Sequence, residues 1–401
     1  MKLTRKLFFL FLLLLPTQLG IHYWPSFALV LGRRIDYLSP TVYLSDILLL
    51  LTSATLVIAT KKEKLFAILK MRWLLILLAF LTINVLFAQQ FNLAFLGAVR
   101  LVEMGLVIIL IKNLKLKLGD VLVPLSLSTL YVTLLAALQF FQQSSLQGIW
   151  YFLGERRFLA STPGISLITV SRGLLLRSYS TFSHPNVLAG FCTVVFFLLL
   201  IWQTQTKIEY VLKRISLLAT GVGIFLSFSR SAWVVVIALG LFAYVRKTRV
   251  QLTSYLLIVS GFVVTAGLVW QRFTTLLTVD AISITERQKL MSEAFRLFAY
   301  SPIFGVGFLN FIPAIVAASA PPYIMQPVHS LYILVLSETG LLGFGLLASL
   351  LFTTLRQALS ARRHLLLPIV AVLLLGMVDH YFLTQPQTRL LIAVVLGLLF
   401  I

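Results

Sequence analysis

Ser183-His-Pro-Asn-Val-Leu-Ala-Gly-Phe-Cys-Thr-Val-Val-Phe-Phe-Leu-Leu-Leu-Ile-Trp202 opens on a short polar, proline-containing signal and then runs from Val187 to Trp202 without a single charge. A helix that crosses the hydrocarbon of a bilayer takes about 20 mostly apolar residues. This run therefore reads as a membrane span. Working outward in both directions, runs of the same kind recur at residues 7–19, 42–60, 73–87, 94–111, 121–141, 215–228, 232–244, 252–270, 330–355, 365–378 and 390–401. The expectation is an all-α, polytopic transmembrane helical bundle of about 12 helices, with residues 1–401 as a single integral membrane domain. The last run is short, so a half-inserted or truncated helix is expected there. The first run follows Met1-Lys-Leu-Thr-Arg-Lys6 and resembles a signal peptide, but no small-x-small cleavage site follows, which favours a retained anchor.

Composition agrees. Of 401 residues, 60% are hydrophobic and 11% charged, against about 25% charged in a soluble domain. The net charge of +21 first raises nucleic acid as a partner. The bases, however, lie between apolar runs and not on a water-soluble scaffold, so the bilayer is the expected partner and nucleic acid is not. The apolar fraction also excludes disorder. Cys192 is the single cysteine, which excludes an intrachain disulfide, and no Cys/His cluster of zinc type exists.

The bases sort by type. Twelve of the thirteen lysines fall in clusters at residues 2–6, 61–72, 112–117, 207–214 and 246–249; Lys289 is the exception, and a further cluster is Arg356, Arg362 and Arg363. The positive-inside rule puts these clusters on the cytoplasmic face, with both termini. All of them share that face if residues 215–228 and 232–244 form a hairpin whose apex, Ser227-Phe-Ser-Arg-Ser231, carries Arg230 near the outer leaflet. A charge at that depth is costly and makes Arg230 a functional-site candidate, with a snorkelling arginine of no role as the alternative. Arg33, Arg34, Arg100, Arg156, Arg157, Arg172, Arg177, Arg272, Arg287, Arg296 and Arg389 also fall in outer loops or spans. Arginine offers a planar fork suited to phosphate and carboxylate, so an anionic substrate is expected at the outer interface. Arg33–Arg34 and Arg156–Arg157 are expected to anchor lipid headgroups instead. Arg100 and Glu103 sit three apart in one span and are expected to pair.

Two longer outer loops cover residues 142–186 and 271–328. Within the second, Met291, Phe295 and Phe298 recur at helical spacing and predict an amphipathic helix lying on the membrane or bundle. No Asp-x-Asp pair and no Walker-type glycine loop exist, which removes support for a metal-bound sugar nucleotide or for ATP-driven transport. His22 and His364 have no motif around them, and His380 in Asp379-His380-Tyr381 reads as a structural hydrogen bonder. In Ser183-His184-Pro185-Asn186 the expected helix N-cap is Asn186. His329 opens a span beside the arginine-bearing loop, where an imidazole serves as a proton acceptor near neutral pH.

Four segments then share one resemblance. His329-Ser330, nine residues and Gly340-Leu-Leu-Gly343 resembles the histidine motif of the O-antigen ligase family. Arg177-Ser-Tyr-Ser-Thr-Phe-Ser-His-Pro-Asn186, Phe228-Ser-Arg-Ser-Ala-Trp233, and Glu286-Arg287 followed by Pro302-Ile-Phe-Gly-Val-Gly307 resemble three further segments of it, in the same order. The resemblance implies a C-type glycosyltransferase-like organisation with a large periplasmic loop at residues 271–328. It implies metal-independent transfer of a glycan from an undecaprenyl-pyrophosphate-linked donor to an acceptor hydroxyl, on a glycan, a lipid core or another molecule. It implies, too, that transfer takes place at the periplasmic face of the bacterial inner membrane. By motif, Arg230 and Arg287 hold the pyrophosphate, His329 assists the acceptor hydroxyl, and Arg177, His184 and Asn186 shape the substrate site, with no cofactor and no metal. A polysaccharide polymerase of the same superfamily is the alternative, as is a protein of inorganic-carbon transport, although the chain shows none of the repeated halves expected of a carrier. Glu338 lies about 13 Å along a helix from His329, too far to orient it, so a structural role is expected. Gly340, Gly343 and Gly345 are expected to permit close helix packing.

Overall fold

The computed structural model describes residues 1–60, 72–170, 173–245, 281–318 and 324–400, with 267, 270 and 274 isolated between them. The span expected at 252–270, the clusters at Lys61–Lys70 and Arg246–Arg249, and Arg172 and Arg272 lie outside the described residues. The described chain is mostly helical. Among the described residues, three helices are long and apolar enough to cross a membrane, α4 (Phe91–Leu114), α5 (Leu118–Gln142) and α11 (Leu331–Ser360). Shorter apolar helices surround them, so the chain is a helical membrane protein.

The apolar run at 187–202 becomes α6 (Pro185–Ile201), the axis of the bundle. Pro185 occupies the first helical turn, where its missing N–H costs nothing. Every residue from Val187 to Leu200 is buried, because α6 is enclosed by α5, α7 (Lys207–Leu226), α8 (Arg230–Val245), α12 (Leu366–Val378) and α14 (Pro386–Leu399). An all-round apolar helix has no polar face to offer water, and here it finds none. Outer helices differ: α2 (Leu44–Ala59) buries Leu48, Leu49 and Leu56 but exposes Ile47, Leu50, Val57 and Ile58, an apolar stripe that suits lipid. α1 (Lys2–Leu14) packs on α2 and α5. The last helix is not peripheral. Nearly all of α14 is buried, and Gly397 lies against Ile111 of α4.

One end of the bundle gathers basic residues. Arg5 donates to the Leu114 carbonyl at 2.9 Å, Lys213 to the Trp202 carbonyl at 2.6 Å, and Gly119 rests on the Trp202 indole. Lys213 thus closes the C-terminal carbonyls of α6, where a cation meets the helix dipole favourably. The opposite end carries the loops. Antiparallel ribbons form there from β1 (Gly20–His22) with β4 (Thr41–Tyr43), β2 (Leu29–Val30) with β3 (Arg33–Arg34), and β5 (Leu167–Val170) with β6 (Gly173–Leu176). The buried carboxylate of Glu155 pins the loop before β5 by accepting from the backbone N–H groups of Leu146 and Gln147 and from Gln139 Nε2.

The loop at 271–328 contains α9 (Ala281–Tyr300) and α10 (Phe311–Ala318). The packed face of α9 is Leu290, Ala294 and Leu297, set against α11, while Phe295 is 48% exposed. The expected apolar stripe is therefore displaced by one residue, because the small Ala294 lets α9 approach its neighbour.

The glycines of α11 require a correction. Gly340 sits at φ 61° and ψ −163° and breaks the helix. The turn Pro302–Gly307 fills the break: Val306 N–H donates to Ser337 and Gly307 N–H to Glu338, while Leu341 and Leu342 donate back to Pro302 and Ile303. A Cβ on Gly340 would lie 2.4 Å from the Ile303 carbonyl carbon. Gly343 does pack closely, against Phe80 of α3 (Arg72–Leu86), but Gly345 faces open space. Glu338 has the structural role expected of it, its carboxylate accepting from the Phe311 N–H at 3.3 Å.

Candidate active site

At the loop end a cavity of about 1110 Å³ opens between the ribbons and the ends of the helices. Arg177, His184, Asn186, Arg230, Arg287 and His329 all line it. The six residues singled out by sequence thus converge, although they come from four separate segments.

α7 and α8 meet at Ser227–Ser229, with Phe228 in the left-handed region at φ 50°. Side chains join backbone in satisfying this interruption, the Ser178 N–H donating to the Leu226 carbonyl at 3.1 Å. Arg177, which follows β6, donates from Nε to the Ser227 carbonyl at 2.8 Å, and Ser229 N–H donates to Ser227 Oγ. Arg230 begins α8 there and faces the cavity. Arg177 is only 7% exposed, and its Nη2 donates to Asn186 Oδ1 at 2.6 Å. It braces the segment that presents Arg230.

The N-cap of α6 is His184, not Asn186. His184 Nδ1 accepts from the Asn186 N–H at 3.1 Å, and Nε2 faces Ser166 Oγ at 3.1 Å. An accepting Nδ1 places the proton on Nε2, donated to Ser166. Burial, then the neighbouring Arg177, lowers the His184 pKa to about 3, so the ring is neutral. The Asn186 side chain is left free of capping and bridges instead, accepting from Arg177 and donating from Nδ2 to Asp379 Oδ2 at 3.1 Å.

Arg287, on α9, lines the cavity and donates to the Val378 carbonyl at 3.3 Å. The next residue, Asp379, ends α12 and is 7% exposed. Its Oδ1 accepts from the His380 backbone N–H at 2.9 Å and lies 3.7 Å from His329 Nδ1 and 3.9 Å from His380 Nε2. Burial alone would raise this carboxyl, but His329, His380 and Arg287 together hold it below the usual carboxylate range. His380 has its Nδ1 against Thr384 Oγ1 at 2.8 Å, the structural bond expected of it, and burial lowers its pKa to about 4. His329 Nδ1, Asp379 and His380 offer three ligand-type atoms within 4.8 Å of one another, a set that in other surroundings suits a cation. Arg177, Arg230 and Arg287 around the same cavity make its field favour an anion.

Three expectations change. Arg100 does not pair with Glu103; it donates to the carbonyls of Tyr37 and Ser39, tying the β2–β4 segment to α4, while Glu103 takes Arg389 of α14 at 2.7 Å. Arg389 is buried and aligned by its own helix, which makes it the nearer partner. Arg156 lines the cavity and lies over the Tyr179 ring at 5.8 Å, so it does not serve as a lipid anchor. Arg296 is bound to Glu293 and to the Ala318 carbonyl. Arg34 stacks on Trp24 at 5.4 Å, on the exposed ribbon where an anchor was expected.

Sequence reasoning gave Asp379 no role. Its signal was scarcity, since the chain holds twelve acids and this one stands at the end of an apolar run beside a histidine.

Residues 215–348 match the model of a family described as O-antigen ligase. Over that third of its length the chain is similar to the O-antigen ligase family. No curated protein matches the chain. The O-antigen ligase segment runs from within α7 into α11 and holds Arg230, Arg287 and His329, together with the turn that fills the α11 break. Arg177, His184, Asn186 and Asp379 lie outside it and reach the same cavity through the fold. That similarity supports glycan transfer of the O-antigen ligase and polymerase superfamily, in a membrane.

Proposed function

We propose that the protein transfers a glycan from an undecaprenyl-pyrophosphate-linked donor to an acceptor hydroxyl, in the manner of an O-antigen ligase, at the periplasmic face of the inner membrane. The observation that carries this reading is the convergence of Arg230, Arg287 and His329 on one cavity next to a buried carboxylate. The donor enters with its sugar in the cavity and its lipid among the helices. The acceptor oxygen attacks the anomeric carbon from the face opposite the leaving group. As that C–O bond forms, the bond from the anomeric carbon to the pyrophosphate oxygen breaks. The electron pair leaves with the lipid pyrophosphate, whose growing charge Arg230 and Arg287 neutralise. The hydroxyl proton passes to His329. The product is inverted at the anomeric carbon, and the step needs no metal.

The test uses purified protein, a lipid-pyrophosphate oligosaccharide and a panel of hydroxyl acceptors. His329→Ala, Arg287→Ala and Arg230→Ala are each expected to reduce transfer by roughly 10²–10³-fold. Full transfer by all three variants would refute the mechanism. The acceptor that is used separates ligase from polymerase, since a polymerase takes a second lipid-linked glycan. For sidedness, Ser231→Cys should react with an impermeant thiol reagent from the periplasmic side; Cys192 is buried and gives little background. Labelling from the cytoplasmic side alone removes Arg230 from this role.

A further inference from the structure

The mechanism asks His329 to accept a proton through the nitrogen that meets the substrate. An imidazole does this only in one tautomer, and something must hold the other nitrogen protonated. Glu338 is not available for it, because its carboxylate is engaged with the Phe311 N–H. The group that faces His329 is Asp379, whose Oδ1 lies 3.7 Å from His329 Nδ1. That distance is longer than a hydrogen bond, and His329 Nδ1 is buried without a partner. Such an unsatisfied donor is costly, and catalytic hydrogen bonds are often long until substrate closes the site.

Asp379 is itself held. Asn186 Nδ2 donates to its Oδ2 at 3.1 Å, Arg177 Nη2 donates to Asn186 Oδ1 at 2.6 Å, and Arg177 Nε grips the Ser227 carbonyl beside Arg230 at 2.8 Å. Arg287 donates to the carbonyl of Val378, one residue before Asp379. The arginines of the cavity and the histidine are therefore joined through one carboxylate. The competitor for that carboxylate, His380, is 4% exposed and is turned to Thr384, whereas the His329 side chain keeps 21% of its surface open. Of the two imidazoles beside Asp379, His329 is the one more open to the cavity.

We propose that Asp379 is a positioning residue. It keeps the proton of His329 on Nδ1 and presents Nε2 to the acceptor hydroxyl, while Asn186 and Arg177 fix Asp379 relative to the donor arginines. This inference rests on the transferase reading above for its consequence, but not for its geometry. Its alternative is that Asp379 merely caps the end of α12 by accepting from His380 N–H.

The test is nitrogen NMR of the full-length protein, labelled with ¹⁵N-histidine in lipid nanodiscs, with the His329 signals assigned by His329→Gln. In the unaltered protein His329 should show a protonated Nδ1 and a bare Nε2, the opposite of His184. Asp379→Asn should move the His329 proton to Nε2 and lower kcat by about 10²–10⁴-fold with donor KM changed less than about threefold. Asp379→Glu should restore part of kcat. Should Asp379→Asn fail to fold, Asn186→Ala provides the second arm, with the same tautomer change in a fraction of molecules and a kcat loss of about tenfold. A His329 tautomer unaltered by Asp379→Asn, or a kcat loss that merely follows a lower melting temperature, would overturn the proposal. The spectrum needs no substrate, so absence of transfer by the unaltered protein would sink the transferase reading and leave this one to be decided by the tautomer alone.

Discussion

The helical backbone of this protein is broken at two places, between α7 and α8 and within α11, and the two breaks are finished by different chemistry. Between α7 and α8 the open backbone at Ser227 is taken up by a guanidinium, that of Arg177, and the next helix begins with Arg230 at the cavity. In α11 the open backbone around Gly340 is taken up by other backbone, from the turn at 302–307, and by Asn84, which donates to the Glu338 carbonyl and accepts from the Phe308 N–H. Backbone that leaves the helix within a bilayer must find partners inside the protein. Side-chain partners leave a polar, reorganisable surface, which is where chemistry can be done. Backbone partners leave a sealed joint. The first break belongs to the site and the second to the scaffold, although both carry motif residues.

Substitutions should separate the two. Arg230→Ala is expected to have the largest effect on function, a loss equivalent to about 2.7–4 kcal/mol in the barrier, with an unmoved thermal transition; a transition that falls in parallel would make the first break a scaffold too. Gly340→Ala should do the reverse. It forces a Cβ to 2.4 Å from the Ile303 carbonyl carbon at φ 61°, and a loss of about 2–4 kcal/mol in stability is expected from clash and strain together, seen as aggregation in detergent or early proteolysis. Wild-type stability in that variant would show that the turn at 302–307 does not fill the break in solution. Asn84→Ala leaves two buried backbone groups each one bond short and should cost about 1–3 kcal/mol, read by the midpoint of thermal unfolding.

Acid should find the first break before the second. His184 and His380 are neutral, with pKa values lowered to about 3 and about 4, mainly by burial. An unfolded histidine titrates near 6.5, so their stabilising contribution is complete above about pH 6.5 and is lost as pH falls toward 4 and then 3, by about 1.4 kcal/mol per pH unit for each. The protection factor against hydrogen exchange at Ser227–Ser229, corrected for the intrinsic rate at each pH, is expected to fall below pH 6 while that of the Gly340 joint holds; the opposite order would contradict the assignment of His184 and Arg177 to the first break. Gly345→Ala should change stability by less than about 0.5 kcal/mol, since nothing lies near its Cβ position.

Much of this was legible in the sequence, and unevenly. The hairpin apex at Ser227–Ser231 could be found from two apolar runs flanked by bases, because a charge between them has few places to go. The break at Gly340 could not, since a glycine in an apolar run looks the same whether it packs against a helix or bends one. The pairing of Arg100 with Glu103 failed for a related reason. Spacing of three puts two side chains on one face, but it says nothing of Arg389 arriving from another helix.

By itself the sequence marked a helical membrane chain and the apolar runs that become its described helices, because hydropathy and charge act over a window of neighbouring residues and sum without regard to distant ones. It also marked Arg230, Arg287 and His329, through motifs. Only the tertiary structure decided their company. Asn186 meets Asp379 across 193 positions and Arg389 meets Glu103 across 286. Partner choice of that kind is settled by which groups are left unsatisfied once the helices have packed, and no local pattern records it.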